Sequence, residues 1–135
     1  MRNGVCEYCD GSLPDERFPW GFGVKNEDSR GEIIEVASGY FRSVQVIRSV
    51  VGSVRSNHWH REGGHVLYVM SGLMKYSWRG LEDEHFESKL VRAGESVETG
   101  REVVHVTEFL EDTVLVCCSV LPRDQVAYEA DTVRL

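Results

Sequence analysis

Gly52-Ser-Val-Arg-Ser-Asn-His58-Trp-His60-Arg-Glu-Gly-Gly-His65-Val-Leu-Tyr-Val-Met-Ser-Gly72 is the stretch that decides how this chain is read. Three of the five histidines fall within the eight residues from His58 to His65, bracketed by glycines. His58 and His60 stand two apart in a run patterned as a strand, so both imidazoles project from one face. Two imidazoles on one face, joined by a third from the next strand, are how a β-scaffold holds a divalent metal. A fourth, His105, follows in a second strand-like run, Val103-Val-His-Val-Thr-Glu-Phe109. Scattered core or surface histidines would explain any one of these. The spacing favours a ligand set of His58, His60, His65 and His105.

Outward from this stretch, the chain reads as successive strands. Glu32–Val36, Ser43–Val51, Val66–Met70, Leu73–Trp78, Phe86–Val91, Val103–Leu110 and Val114–Leu121 are rich in Val, Ile, Tyr and Phe. Turn signals separate them: Ser38-Gly39, Glu62-Gly63-Gly64, Ser71-Gly72, Arg79-Gly80 and Ala93-Gly94. No segment sustains a 3.6-residue apolar period long enough for a substantial helix. Many short strands with almost no helix predict an all-β sandwich or barrel. Residues 1–31 are expected to be irregular and to pack on a barrel formed by residues 32–135, because Gly4, Gly11, Pro14, Pro19, Gly21, Gly23 and Gly31 break every candidate element. The alternating aromatics Phe18, Trp20 and Phe22 are expected to cover one end of the core. The partly apolar segment Asp124–Leu135 is expected to return as a last strand across an edge or a partner subunit.

At 135 residues the chain makes one domain with its own core. A net charge of -7, spread along the chain, argues against nucleic-acid and anionic-membrane partners, which select for basic patches. No apolar run is long enough to span a bilayer, and no signal-peptide core follows the first residues. The expected location is therefore the cytoplasm, with the four cysteines reduced. Cys6 and Cys9 have the spacing of half a zinc site, and no second Cys-x-x-Cys completes it within one chain. Two subunits combining their halves would. Cys117 and Cys118 read as small apolar residues of a strand buried on both faces. The edges left by the two terminal segments predict a homodimer.

The segment from Gly52 to Gly72 also resembles the first motif of the cupins. That motif is Gly, five residues, His-x-His, four residues, an acidic residue, six residues, Gly; here His65 stands where the family has Glu. The second cupin motif is matched loosely by Gly94-Glu-Ser-Val-Glu-Thr-Gly100 and His105. Glu98 occupies its proline position, four residues rather than two separate Gly100 from His105, and Phe109 replaces its Asn. The resemblance implies a double-stranded β-helix, or jelly-roll barrel, with the four histidines converging inside it. Asn57-His58-Trp59-His60 and the lead-in Asp28-Ser29-Arg30-Gly31 are similar to segments of cupins that epimerise or isomerise sugar nucleotides. A turn before a strand explains the lead-in equally well.

Four neutral imidazoles would leave the +2 of a divalent ion uncompensated, which makes it a stronger Lewis acid and a good partner for enolate oxygen. Zn, Ni, Fe, Mn and Cu all suit imidazole. Tyr76 and Glu98 are the candidate catalytic proton carriers, with Glu102 or a displaced histidine behind them. Tyr68 faces away from His65 by alternation, and His85, among acids, reads as exposed. Arg48, Arg55, Lys75 and Arg79 would contact a pyrophosphate if they face the cavity mouth; otherwise they are solvated strand residues. The first function is a metal-assisted isomerase or epimerase of a carbohydrate or sugar nucleotide, working through an enediolate. The alternatives are a metal-dependent dioxygenase of a small organic substrate and a non-catalytic small-molecule binding or sensor module.

Overall fold

The computed structural model of the chain describes residues 24–122 and 124–135, and the statements below concern those residues. The Cys6/Cys9 pair and the aromatics Phe18, Trp20 and Phe22 lie outside them.

The strands are β1 (Val24–Asp28), β2 (Gly31–Glu35), β3 (Ser43–Ser49), β4 (Val54–His60), β5 (His65–Ser71), β6 (Leu73–Gly80), β7 (Glu87–Arg92), β8 (Ser96–Thr99), β9 (Val103–Phe109), β10 (Thr113–Ser119) and β11 (Thr132–Arg134). The helix α1 (Gln125–Asp131) precedes the last of them. All pairings are antiparallel. One sheet runs β3-β10-β5-β8, a second runs β11-β4-β9-β6-β7, and β1-β2 forms a separate hairpin.

The two larger sheets pack face to face. A single apolar cluster draws Leu67, Val69, Val97, Leu115 and Cys117 from the first and Met74, Tyr76, Val91 and Phe109 from the second. Strand β5 is buried from His65 to Val69 without interruption, as a central strand covered on both faces should be. Cys117 and Cys118 are buried, as a doubly covered strand requires.

Gly72 turns the chain from β5 into β6 at φ +100, where side chains are strained. A Cβ there would sit 2.7 Å from Thr113 Cα and closer still to Asp112 O and Thr113 Oγ1. The glycine that closes the first histidine motif is therefore required by backbone conformation and space together.

Three departures from the sequence reading have local causes. The strands begin at Val24, not near Glu32, because Asp28-Ser-Arg-Gly31 is the turn of the β1–β2 hairpin. The Asp28 carboxylate accepts from the Arg30 N–H (2.8 Å) and guanidinium (2.6 Å), which closes that turn. Strand β8 offers only one apolar residue in four, too little for a period-2 signal. The C-terminal segment returns as an edge strand of its own chain, β11 on β4, but only after the short helix α1, capped by Asp124 accepting from Ala127 N–H. No helix among the described residues is long and apolar enough to cross a membrane.

Candidate functional site

The histidines owe their arrangement to a β-bulge. Ser56 and Asn57 adopt φ of +73 and +61, and the pairing of β4 with β9 slips between Ser56 and His58. Asn57 is the extra residue, so His58 lands directly opposite His105 instead of opposite Val104. Residues paired across an antiparallel ladder share a face. His58, His60 and His105 therefore point into the barrel, where they meet His65 from the start of β5. All four are buried.

Ring centroids lie 4.7 Å apart for His58–His60 and for His58–His105, and 5.4 Å apart for His60–His105. One ligating nitrogen from each of these three falls within 4.8 Å of the others. His65 lies beside this triad, 5.1 Å from His105 and 6.0 Å from His60 between centroids, and outside the compact set. The expected quartet is thus arranged as three plus one.

Hydrogen-bond chemistry sets the tautomers. His105 Nδ1 lies 3.0 Å from the Val103 carbonyl. A carbonyl only accepts, so Nδ1 carries the proton and the lone pair is on Nε2. His60 Nδ1 lies 3.3 Å from Asp131 Oδ2 and 3.3 Å from Thr132 Oγ1, whose hydroxyl is donated to Tyr128 O at 2.6 Å. The carboxylate again makes Nδ1 the protonated nitrogen. Asp131 is held in turn by the N–H groups of Glu62 (2.7 Å) and Gly63 (3.2 Å). Neutral imidazoles with their outer N–H groups anchored on oxygen are the donor set a divalent ion requires. The triad fits such an ion.

Asp131, Thr132 and Tyr128 escaped the sequence reading because they lie some seventy residues beyond the histidine motif, on a segment whose apolar positions dominated its interpretation. Tyr128 packs its ring 6.2 Å from His58 and 5.8 Å from His60, covering the cluster from α1. The cavity at the histidines, walled by Ile47, Leu67, Phe109, Leu115 and Cys117, is small, about 50 Å³. That is room for an ion and one or two waters.

The other candidates fall elsewhere. Tyr76 and Glu98 line a separate cavity of about 330 Å³ between β6, β7 and β8. Tyr76 is paired with Thr107, one strand beyond the histidine row, and its hydroxyl bonds Thr99 Oγ1. Burial pushes the Tyr76 phenol up to about 12, so it holds its proton at neutral pH. Tyr68 is buried, while Glu102 and His85 are exposed. Arg55 reaches the histidine cavity, with Nε–H donated to Ser49 Oγ at 2.8 Å. Arg48 is exposed, Lys75 pairs loosely with Glu108 at 3.8 Å, and Arg79 is tied to Gly80 O and Asp83 O over the Phe86 ring.

No protein-family model matches the chain, and no curated protein sequence does. Solved structures do. QdtA, a sugar 3,4-ketoisomerase from Thermoanaerobacterium thermosaccharolyticum in complex with TDP, is similar at a TM-score of 0.70 and 16% identity, over 86% of this chain and 86% of that one. The TDP-quinovose 3,4-ketoisomerase WlaRB from Campylobacter jejuni is similar at 0.68 and 17% identity, over 83% of this chain and 88% of that one. The capsular polysaccharide assembling protein CapF from Staphylococcus aureus is similar at 0.63 and 26% identity, over 83% of this chain. The match takes in 34% of CapF, so this chain spans about a third of that protein. The fold is the cupin fold, in the form shared with these sugar ketoisomerases.

Proposed function

We propose that this protein isomerises or epimerises a sugar or sugar nucleotide at a carbon next to a carbonyl, at a site where His58, His60 and His105 hold one divalent cation (Zn, Ni, Fe, Mn or Cu). The observation that carries this reading is the compact triad inside the barrel, with two tautomers fixed from outside it. The similarity to sugar 3,4-ketoisomerases supports the choice of substrate. When bound, such an ion supplies Lewis-acid polarisation of the substrate carbonyl.

The chain's own residues supply the rest. Asp131 and the Val103 carbonyl keep Nδ1 of His60 and His105 protonated, which puts the lone pair of each ring on Nε2. His65, beside the triad rather than in it, takes and returns the carbon-bound proton at an imidazole nitrogen. The carriers expected from sequence, Tyr76 and Glu98, sit in the other cavity, and Tyr76 keeps its proton too tightly to act as base. Ile47, Leu67, Phe109 and Leu115 wall the site with apolar surface, which strengthens every charge interaction within it. Arg55, at the cavity wall, suits an anionic group of the substrate. A pocket that accepts a whole ligand is usually several hundred Å³, so sugar entry requires α1 to swing Tyr128 away.

A homodimer is part of the proposal. Residues 25–35 of the β1–β2 hairpin are almost wholly exposed in the single chain, and edge strand β3 presents Val44 and Val46 to solvent. Both features favour a partner surface. A cytoplasmic location, with no nucleic-acid or membrane partner, accords with the acidic charge.

The test is conversion of a panel of 4-keto sugar nucleotides by metal-loaded protein, followed by NMR. A moved carbonyl or an inverted neighbouring centre is expected. Unchanged substrates, with oxygen uptake on a diketone or phenol, would assign the dioxygenase; silence in both would assign a binding module.

A further inference from the structure

Helix α1 is too short to be stable by itself, and none of its side chains is fully buried; Val126 is 81% exposed. The Arg134–Glu129 and Gln125–Glu129 contacts that brace it lie in solvent, where such pairs contribute little. What ties the helix to the barrel converges on its last residue. The Asp131 carbonyl accepts from Arg61 N–H at 2.9 Å, and its carboxylate accepts from Glu62 N–H, Gly63 N–H and His60 Nδ1–H. One turn earlier, Tyr128 lies over His58 and His60, with its carbonyl held by the Thr132 hydroxyl. The same helix therefore carries the ring that covers the triad and the carboxylate that holds one of its members. Gly63 is what lets that carboxylate come so close. A Cβ there would sit 2.6 Å from Asp131 Oδ2, the free end of a side chain, with the next atoms, on Leu121 and His60, at 3.5 and 3.6 Å.

We propose that α1 is a lid coupled to the triad, held closed when a divalent ion is bound there and loosened when the ion leaves. The coupling rests on the metal reading above. An ion held at Nε2 of His60 draws density from the ring, so Nδ1–H becomes a stronger, charge-assisted donor to Asp131. The carboxylate, with 11% of its side chain exposed, is little screened from the added charge. Both effects pull the C-terminal end of α1 onto residues 61–63 and set Tyr128 over the site. By reciprocity, whatever factor the ion adds to closure, closure adds to ion affinity. An empty triad is thereby open for loading, and a loaded one holds α1 down until a ligand lifts Tyr128.

The experiment is amide hydrogen exchange of the full chain by NMR, with and without zinc, alongside ring spectra of the histidines. Zinc should shift the His58, His60 and His105 rings. It should slow the locally exchanging α1 amides, Tyr128 N–H among them, about tenfold or more, while the exposed edge strand β7 exchanges as before. In Gly63→Ala the added methyl displaces the Asp131 carboxylate and leaves the triad in place. Zinc should still shift the His58 and His105 rings, at an affinity lowered by the factor by which α1 protection falls. Shifted rings with unchanged α1 exchange in the wild type would overturn the lid and leave the metal site standing; unshifted rings would overturn both. Zinc-dependent protection of α1 at the wild-type level in Gly63→Ala would overturn Asp131 as the latch. The wild-type comparison needs no variant, so the test survives if Gly63→Ala fails to fold.

Discussion

Replacing Asp131 by Asn changes one oxygen to an NH₂ and leaves the shape almost unaltered, which isolates what the carboxylate does. The carboxylate accepts from three donors, Glu62 N–H at 2.7 Å, Gly63 N–H at 3.2 Å and His60 Nδ1–H at 3.3 Å, with only 11% of its side chain exposed. Asn keeps a single acceptor. In either amide orientation its NH₂ confronts a donor: Glu62 in one, Gly63 and His60 in the other. Each hydrogen bond to a charged acceptor contributes about 1.5–3 kcal/mol. The cheaper orientation keeps the Gly63 and His60 contacts, loses the Glu62 bond and turns the NH₂ on that N–H, which should cost about 2–3 kcal/mol. Urea unfolding at neutral pH measures this as a lower midpoint at constant m. The more specific readout is the tautomer. In the fraction of molecules whose NH₂ faces His60, that group can only donate, so the ring proton moves to Nε2, and long-range ¹H–¹⁵N spectra of the ring report it. Divalent-ion affinity should fall about 10- to 100-fold, as for other outer-shell losses. A midpoint within error of wild type, with His60 still protonated at Nδ1, would refute the assignment of Asp131 as the group that sets His60.

Alkaline titration gives a second prediction. Because the Tyr76 phenol is raised to about 12, its contribution to stability is present below the usual tyrosine value of about 10 and is lost as pH climbs through 12. One tyrosine should ionise only there, together with loss of tertiary structure, and Tyr76→Phe should abolish that late step. Gly72→Ala should cost more than about 3 kcal/mol, because strain at positive φ combines with backbone collision. Gly94→Ala, at φ +87 with open space around it, should cost only the left-handed strain of about 1–2 kcal/mol. Denaturant curves of the two variants side by side separate strain from collision. Tyr128→Ala should lower KM for a sugar substrate several-fold while leaving the fold intact, because it removes the ring over the histidines; steady-state kinetics with a melting curve will show whether it does.

Much of the site was legible in the sequence because its logic is periodic. The alternation that puts His58 and His60 on one face, and His65 in register with Leu67 and Val69, is a property of strands that needs no tertiary information. The opposition of His58 and His105 is different. It depends on Asn57 being an extra residue, and nothing in Ser56-Asn57 distinguishes a bulge from a regular step. The C-terminal contribution was illegible for a related reason. Asp131 acts through distance in space, and its position at the end of a two-turn helix follows from the Asp124 cap, not from apolar periodicity. Tyr76 and Glu98 show the limit of face assignments. Alternation alone does not decide which way Tyr76 faces, and the strand order that places it beyond Thr107, in another cavity, is a tertiary fact.

The reaction at the histidines is tested most directly by its elementary step. Metal-loaded protein is incubated with a 4-keto sugar nucleotide in heavy water, and the hydrogen next to the carbonyl is followed by ¹H NMR. The account predicts its replacement by deuterium at a rate that Tyr76→Phe leaves unchanged and that His65→Asn and His60→Ala each reduce at least a hundredfold in folded protein. Exchange at the wild-type rate in His65→Asn, or none in wild type across the panel, would contradict it.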